Sequence, residues 1–257
     1  MSDDRRLVVF VTARMRSQRF PGKALGRIGP KTLIEHVIDG ALMLKGVNTV
    51  VATIGDDRED VPLSGVCASA GISVYQGSGH NLMERHMGAI STYRADYFLV
   101  LSGDVPFLHV PLVQRIVNAF RDNHGYDWYE GRPHDYPAFD QSAAIRNAAT
   151  VTRIAELLDD VTHEKRLHLV DHYHVLQNDL NEMGEIRKFL VDVDDLMPSE
   201  KTPLKTSIDH RLELALANVV WDFVGHRPSP DDYRRAYDSI TQLTAVSLPS
   251  QHRPILE

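Results

Sequence analysis

Short runs of apolar residues alternate along this chain with longer stretches whose apolar positions recur every three or four residues. Residues 7–11, Leu-Val-Val-Phe-Val, are apolar without alternation, which predicts a strand over 7–12 covered on both faces. Thr32-Leu33-Ile34-Glu35 has the form of a capping box, with Thr32 as N-cap and Glu35 reaching back. Behind it Leu33, Ile34, Val37, Ile38, Ala41 and Leu42 fall on one helical face. Residues 49–54 are rich in β-branched side chains and predict a second strand. An acidic loop at 56–60 leads to a helix over 61–70, closed by Gly71, and then a short strand at 72–75. Asn81 is placed to cap a helix running to about residue 94, followed by a buried strand at 97–101 and an amphipathic helix at 111–122.

The second half is less regular. A short strand is expected at 127–129, a strand-like start passing into helix over 139–158, and a histidine-rich helix over 163–177. Strands at 189–193 and 205–209 and helices at 212–223 and 230–243 follow, the last with Ser229 as its cap. From 244 to 257 the pattern disappears and two prolines intervene, as in a loose tail. The alternation predicts an α/β fold with a mostly parallel, doubly wound sheet and right-handed crossovers. One domain is expected over 1–243, with a small α+β segment at about 125–195 suited to binding an acceptor or forming a dimer. Sheets of this kind bind ligands outside the carboxyl ends of their strands.

Composition narrows the classes of function. A net charge of -7 argues against general nucleic-acid binding. The single cysteine, Cys67, allows no internal disulfide and fits a reducing compartment. The first residues are polar and acidic, unlike a signal peptide, and no apolar run approaches the roughly 20 residues that cross a bilayer. The expectation is a cytoplasmic protein with neither nucleic acid nor membrane as partner.

Against that acidic background, residues 14–23 stand out. Arg14, Arg16, Arg19 and Lys23 crowd a loop at the carboxyl end of the first strand. Arginine grips phosphate oxygens in pairs, and lysine supplies a mobile point charge. Ser17 adds a hydroxyl donor, and Pro21-Gly22 allows a turn that aims Lys23 back at the same place. The glycine frames of the P-loop and of the dinucleotide fingerprint are both absent here. Ser102-Gly103-Asp104 puts a carboxylate directly after a buried strand, suited either to hold Mg²⁺ at a phosphate site or to form a turn. Ser207-Ile208-Asp209 offers a second carboxylate, either a further metal ligand or a helix cap. Gly77-Ser78-Gly79 is a turn over which a flat ligand can approach the backbone closely.

In this order the pieces resemble the cytidylyltransferases that activate acidic sugars. That group includes the Kdo and acylneuraminate enzymes, and the likeness is strongest to the spore-coat polysaccharide synthesis protein F type. The family's opening Ala-Arg-x-x-Ser-x-Arg-x-Pro-Gly-Lys is matched by Ala13, Arg14, Ser17, Arg19, Pro21, Gly22 and Lys23 without a gap. Its Gly-Asp-x-Pro turn is matched by Gly103, Asp104 and Pro106, with Phe107 where Leu or Ile is usual. Gly77 to Glu84-Arg85 looks like its glycine turn and acid-arginine pair, and Asp209 like its late metal-binding aspartate. The segment after Asp209 departs from the family pattern, and the middle region matches poorly.

The resemblance implies a nucleotide-diphospho-sugar transferase-like fold and a nucleotidyltransferase that moves CMP from CTP to a small acidic acceptor. Surface polysaccharide or glycoconjugate biosynthesis would be the setting, with Mg²⁺ as cofactor and a homodimer as the assembly. Arg14, Lys23 and Asp104 would carry the chemistry. Ala13, Arg14, Ser17, Arg19, Lys23, Gly77, Arg85 and Gly103 would bind the nucleotide, with Arg85 facing the cytosine. Asp104 and Asp209 would hold the metal, and His168 would approach the acceptor. Three other readings stay open: another sugar nucleotidyltransferase, a glycosyltransferase using Asp192-Val193-Asp194, or an inert nucleotide-binding module.

Overall fold

The computed structural model describes residues 4–131, 143–159, 169–196, 205–225 and 227–245. Strand β1 (Leu7–Ala13) lies in the middle of a sheet and is buried along almost its whole length. Leu7, Val9 and Val11 join one core cluster, while Val8 and Phe10 join a second. Successive residues of a strand point to opposite faces, so a strand with two covered faces needs the unbroken apolar run seen in the sequence.

β1 pairs in parallel with β4 (Thr49–Gly55) on one side and β6 (Tyr97–Ser102) on the other, and β5 (Ser73–Gly77) extends the sheet beyond β4. A small ribbon, β2 (Arg27–Ile28) and β3 (Lys31–Thr32), lies apart from this sheet. The segment at about 125–195 contributes β7 (Trp128–Gly131), β8 (Ala143–Asn147) and β9 (Lys188–Val191) to the same main sheet. The sheet order is β5-β4-β1-β6-β8-β7-β9, with β8 antiparallel to both of its neighbours. The carboxyl ends of β1, β6 and β7 therefore share one edge.

One face is covered by α1 (Leu33–Leu42), α2 (Val61–Ser69) and α4 (Val110–Asp122), together with α7 (Arg211–Val224) and α8 (Pro230–Ala245). The other is covered by α3 (Leu82–Tyr93), α5 (Ala148–Asp159) and α6 (Leu176–Glu182). The caps explain where several of these helices begin. Thr32 and Glu35 form the reciprocal box, with Thr32 N donating to Glu35 Oε2 at 2.7 Å. Asn81 Oδ1 accepts from Glu84 N at 2.9 Å, and Ser229 Oγ accepts from Asp232 N at 3.1 Å.

Two elements differ from expectation. Residues 205–209 form no strand, although Ile208 N donates to Asp104 O at 2.8 Å. The amide of Asp209 turns instead to the Glu213 carboxylate at the start of α7. The described part of the histidine-rich segment breaks into a 3-10 turn, Tyr173–Val175, before α6. His163 and His168 lie outside the described residues, as does residue 246 onward of the expected tail. No helix among the described residues is long and apolar enough to cross a membrane.

Candidate active site

The loop after β1 is held in shape by its own backbone. Ser17 N and Gly22 N both donate to Met15 O, at 3.1 and 2.8 Å. Gly22 has φ 76°, a left-handed conformation that favours glycine, and this brings the chain into the short turn Lys23–Leu25. Phe20 anchors the loop in the core, and its amide donates to Ser17 Oγ at 3.3 Å. Met15 N donates to Asp60 Oδ1 at 2.6 Å, tying the loop to the acidic turn after β4. Asp60 is 1% exposed, and desolvation by that burial pushes its carboxyl above the ordinary range.

Gly103 explains how Asp104 reaches this loop. Its amide donates to Thr12 O at 2.8 Å. A Cβ at that position would stand 2.6 Å from Thr12 O and 2.7 Å from the Ala13 Cβ. Only glycine lets the end of β6 lie this close to the end of β1, which is why Ala13 and Gly103 meet.

Five charged residues then converge. Lys23 Nζ lies 2.7 Å from Asp104 Oδ2 and 3.0 Å from Asp209 Oδ1. Arg19 reaches Asp209 Oδ1 at 2.7 Å, and Lys205 reaches Asp209 Oδ2 at 3.2 Å. Ser102 Oγ donates to Asp104 Oδ1 at 2.6 Å. Burial alone would raise the Asp209 carboxyl, but the hydrogen bonds and charges of Lys23 and Lys205 outweigh it and hold the group below its usual range.

A second cluster surrounds the glycine turn. Arg14 donates to Gly79 O at 2.9 Å and pairs with Asp171 at 3.4 Å. Arg16 meets the His80 ring at 3.2 Å. Gly79 lies so close to Asp57 that a Cβ would meet its Oδ2 at 2.3 Å, and a Cβ on Gly77 would meet the Tyr75 ring at 2.8 Å. Arg85, read from the sequence as facing a base, is only 3% exposed and donates to Ser78 O at 2.8 Å. Buried against the turn, it holds the Ser78 carbonyl in place. Beside it His86 bridges Thr12 and Tyr173, at 2.9 and 2.7 Å. Burial, with the charges of Arg85 and Arg146, lowers His86 to about 3, so at neutral pH the ring is uncharged.

Asp104 and Asp209 supply hard oxygen donors converging on one point, the donor set of a Mg²⁺ site that takes one or two carboxylates and completes its shell with phosphate and water. Among the described residues no group of three or more His, Cys, Asp or Glu side chains could hold a metal by itself. Asp192-Val193-Asp194 does not join the site. It follows β9, separated from β6 by β8 and β7, and Asp192 Oδ1 is turned back on Asp194 N at 3.1 Å. Asp171, Lys205 and Asp60 are additions to the residues named from sequence. Asp60 lies in the acidic loop and Lys205 four residues before Asp209, but no local pattern singles out Asp171.

The sequence profile described as cytidylyltransferase matches residues 8–193. The spore coat polysaccharide biosynthesis protein SpsF of Bacillus subtilis (strain 168) is 27% identical over 120 residues, 45% of this chain and 50% of that protein. The 8-amino-3,8-dideoxy-manno-octulosonate cytidylyltransferase of Shewanella amazonensis is 30% identical over 123 residues, 46% of this chain and 49% of that protein. The matched region thus spans about half the length of these curated relatives. The solved structure of a cytidylyltransferase from Leptospira borgpetersenii superposes with a TM-score of 0.74 at 18% identity, covering 98% of this chain and 99% of that one.

Proposed function

Since the chain belongs to the cytidylyltransferase family, we propose that it transfers CMP from CTP to an acidic sugar or related acceptor, a nulosonic acid or a phosphonate, and releases pyrophosphate. The observation that carries this reading is the meeting of Lys23 and Arg19 with Asp104 and Asp209 where β1 and β6 end. Cations on the loop after β1 suit a triphosphate, and paired carboxylates suit the divalent ion that accompanies it. The names of the Bacillus and Shewanella relatives support an acidic sugar bound for surface polysaccharide.

In this reading Arg14, Arg19 and Lys23 bind the triphosphate, and Arg14 and Lys23 take up charge on the departing pyrophosphate. Ser17 shapes the loop and offers its hydroxyl hydrogen to a phosphate oxygen. Ala13 and Gly103 keep the backbone low enough for the α-phosphate to approach. The base lies over Gly77 and Gly79, with Arg85 holding that turn in place. Asp104 and Asp209 hold Mg²⁺, which when bound supplies charge to phosphate oxygens. The acceptor oxygen attacks the α-phosphorus as the bond to the bridging oxygen of pyrophosphate breaks. Such transfers depend on positioning and charge rather than a protein nucleophile. The only cysteine fits that reading, because burial pushes the Cys67 thiol up to about 12.

A ligand that binds only the folded state raises its stability by mass action, about 2.7 kcal/mol at a hundred times its dissociation constant. With Mg²⁺ present, CTP is therefore expected to raise the melting temperature by several degrees, and ATP, GTP and UTP by much less. A rise with UTP or GTP and none with CTP would defeat the cytidylyl reading.

A further inference from the structure

Lys23 is engaged with the wrong charges for a residue that binds phosphate. Its side chain is 14% exposed, and its ammonium bridges Asp104 and Asp209, the two carboxylates assigned to the metal. The remaining oxygens of the pair are also engaged, Asp104 Oδ1 by Ser102 and Asp209 Oδ2 by Lys205. Lys205 in turn pairs with Glu213. Arg19, Lys23 and Lys205 thus face Asp104, Asp209 and Glu213, and the cluster is balanced without any ion from solution.

We propose that the Lys23 ammonium is an internal counter-cation that keeps the place of the divalent metal until nucleotide arrives. This rests on the assignment of Asp104 and Asp209 to the metal. Two carboxylates brought this close would repel each other if nothing cationic lay between them. A divalent ion entering the ligand-free protein has to expel an ammonium that has nowhere favourable to go, and then sits beside Arg19 and Lys205. A triphosphate changes the balance. It offers Lys23 and Arg19 a stronger set of oxygens, and their departure uncovers the carboxylates for the metal. Metal and nucleotide therefore bind cooperatively, because each removes what hinders the other, and by linkage the effect is reciprocal. The same lysine neutralises the carboxylates before the reaction and the pyrophosphate during it.

The test is Mn²⁺ binding to nucleotide-free protein, measured by calorimetry and by the paramagnetic signal of the free ion. Lys23→Met is expected to bind Mn²⁺ at least about tenfold more tightly than wild type, since a like charge within a few ångströms of the ion has gone. Lys23→Arg keeps the charge and is expected to remain within about threefold of wild type. The double variant Lys23→Met with Asp104→Asn is expected to lose the gain. Should Lys23→Met fold only in the presence of metal, refolding at Mn²⁺ concentrations that leave the wild-type melting temperature unmoved supports the proposal equally. Mn²⁺ affinity in folded Lys23→Met equal to or weaker than wild type overturns it. If Lys23→Met gains Mn²⁺ affinity but CTP fails to tighten Mn²⁺ binding in wild type, the counter-cation role of Lys23 stands and the CTP reading falls, so the two failures are distinguishable.

Discussion

Asp104→Asn lowers turnover with CTP at least about a hundredfold and leaves the fold standing. The amide is nearly the same size as the carboxylate, so Gly103 keeps its bond to Thr12 O, Ile208 keeps its bond to Asp104 O, and Ser102 keeps an acceptor. What disappears is one of two charged oxygen donors at the proposed metal position. Removing one preorganised charge-stabilising group typically costs about 3–4 kcal/mol of transition-state stabilisation, equivalent to two or three orders of magnitude in rate. The ion pair with Lys23 is partly solvated, with the Asp104 side chain 24% exposed, and its loss is expected to move the melting temperature by only about 4 °C or less. Steady-state rates of pyrophosphate release beside a thermal melt give both quantities. A folded variant within threefold of wild type would remove Asp104 from the chemistry.

Lys23→Ala is expected to match that loss, at least about a hundredfold in turnover. Arg19 supplies the contrast. Its side chain is 62% exposed against 14% for Lys23, so its charge is screened by water, and Arg19→Ala is expected to cost closer to tenfold. Arg19 and Lys205 remain on Asp209 when Lys23 is shortened, which keeps that carboxylate paired and the variant folded. Rates measured at saturating CTP separate the two effects: a Lys23 defect that vanishes when CTP is raised would mean the lysine binds substrate without stabilising the transition state. Near wild-type kcat in a folded Lys23→Ala would refute its assignment.

The parts of this molecule that were legible in sequence are those whose physics is local. The unbroken run Leu7–Ala13, the Thr32 capping box and the Pro21-Gly22 turn each announce themselves within a few residues. Gly103 stood out in sequence only as the neighbour of Asp104, and its close approach to Thr12 O appears in the fold. Asp171 and Lys205 were not legible because their meaning is tertiary: Arg14 and Asp171 are 157 positions apart, and only the folded sheet joins them. Arg85, expected to face the base, is buried and bonded to Ser78 O, for a related reason. Its spacing from the glycine turn puts it near the base, but the spacing does not say whether it lies above or beneath the backbone. Residues 205–209 look like a strand, yet the Asp209 amide goes to the Glu213 side chain at the start of the following helix instead of to a ladder. Phe107, which departs from the aliphatic residue usual in the resembling family, has a packing partner: it stacks on Trp221 with ring centroids 6.2 Å apart. The charges of the loop were plain in sequence, whereas their partners in the absence of ligand were not. Four cations predict an anion; Arg14, Arg19 and Lys23 meet the protein's own carboxylates, whereas Arg16 meets the His80 ring.

Whether this chain uses CTP to activate an acidic acceptor is decided by pyrophosphate release from CTP with Mg²⁺ and a panel of nulosonic acids, other acidic sugars and phosphonates, with CMP-linked product identified by mass. Release with CTP is expected to require both an acidic acceptor and the divalent ion, with little from UTP, GTP or ATP. Release from UTP or GTP in place of CTP would rule out cytidylyl transfer.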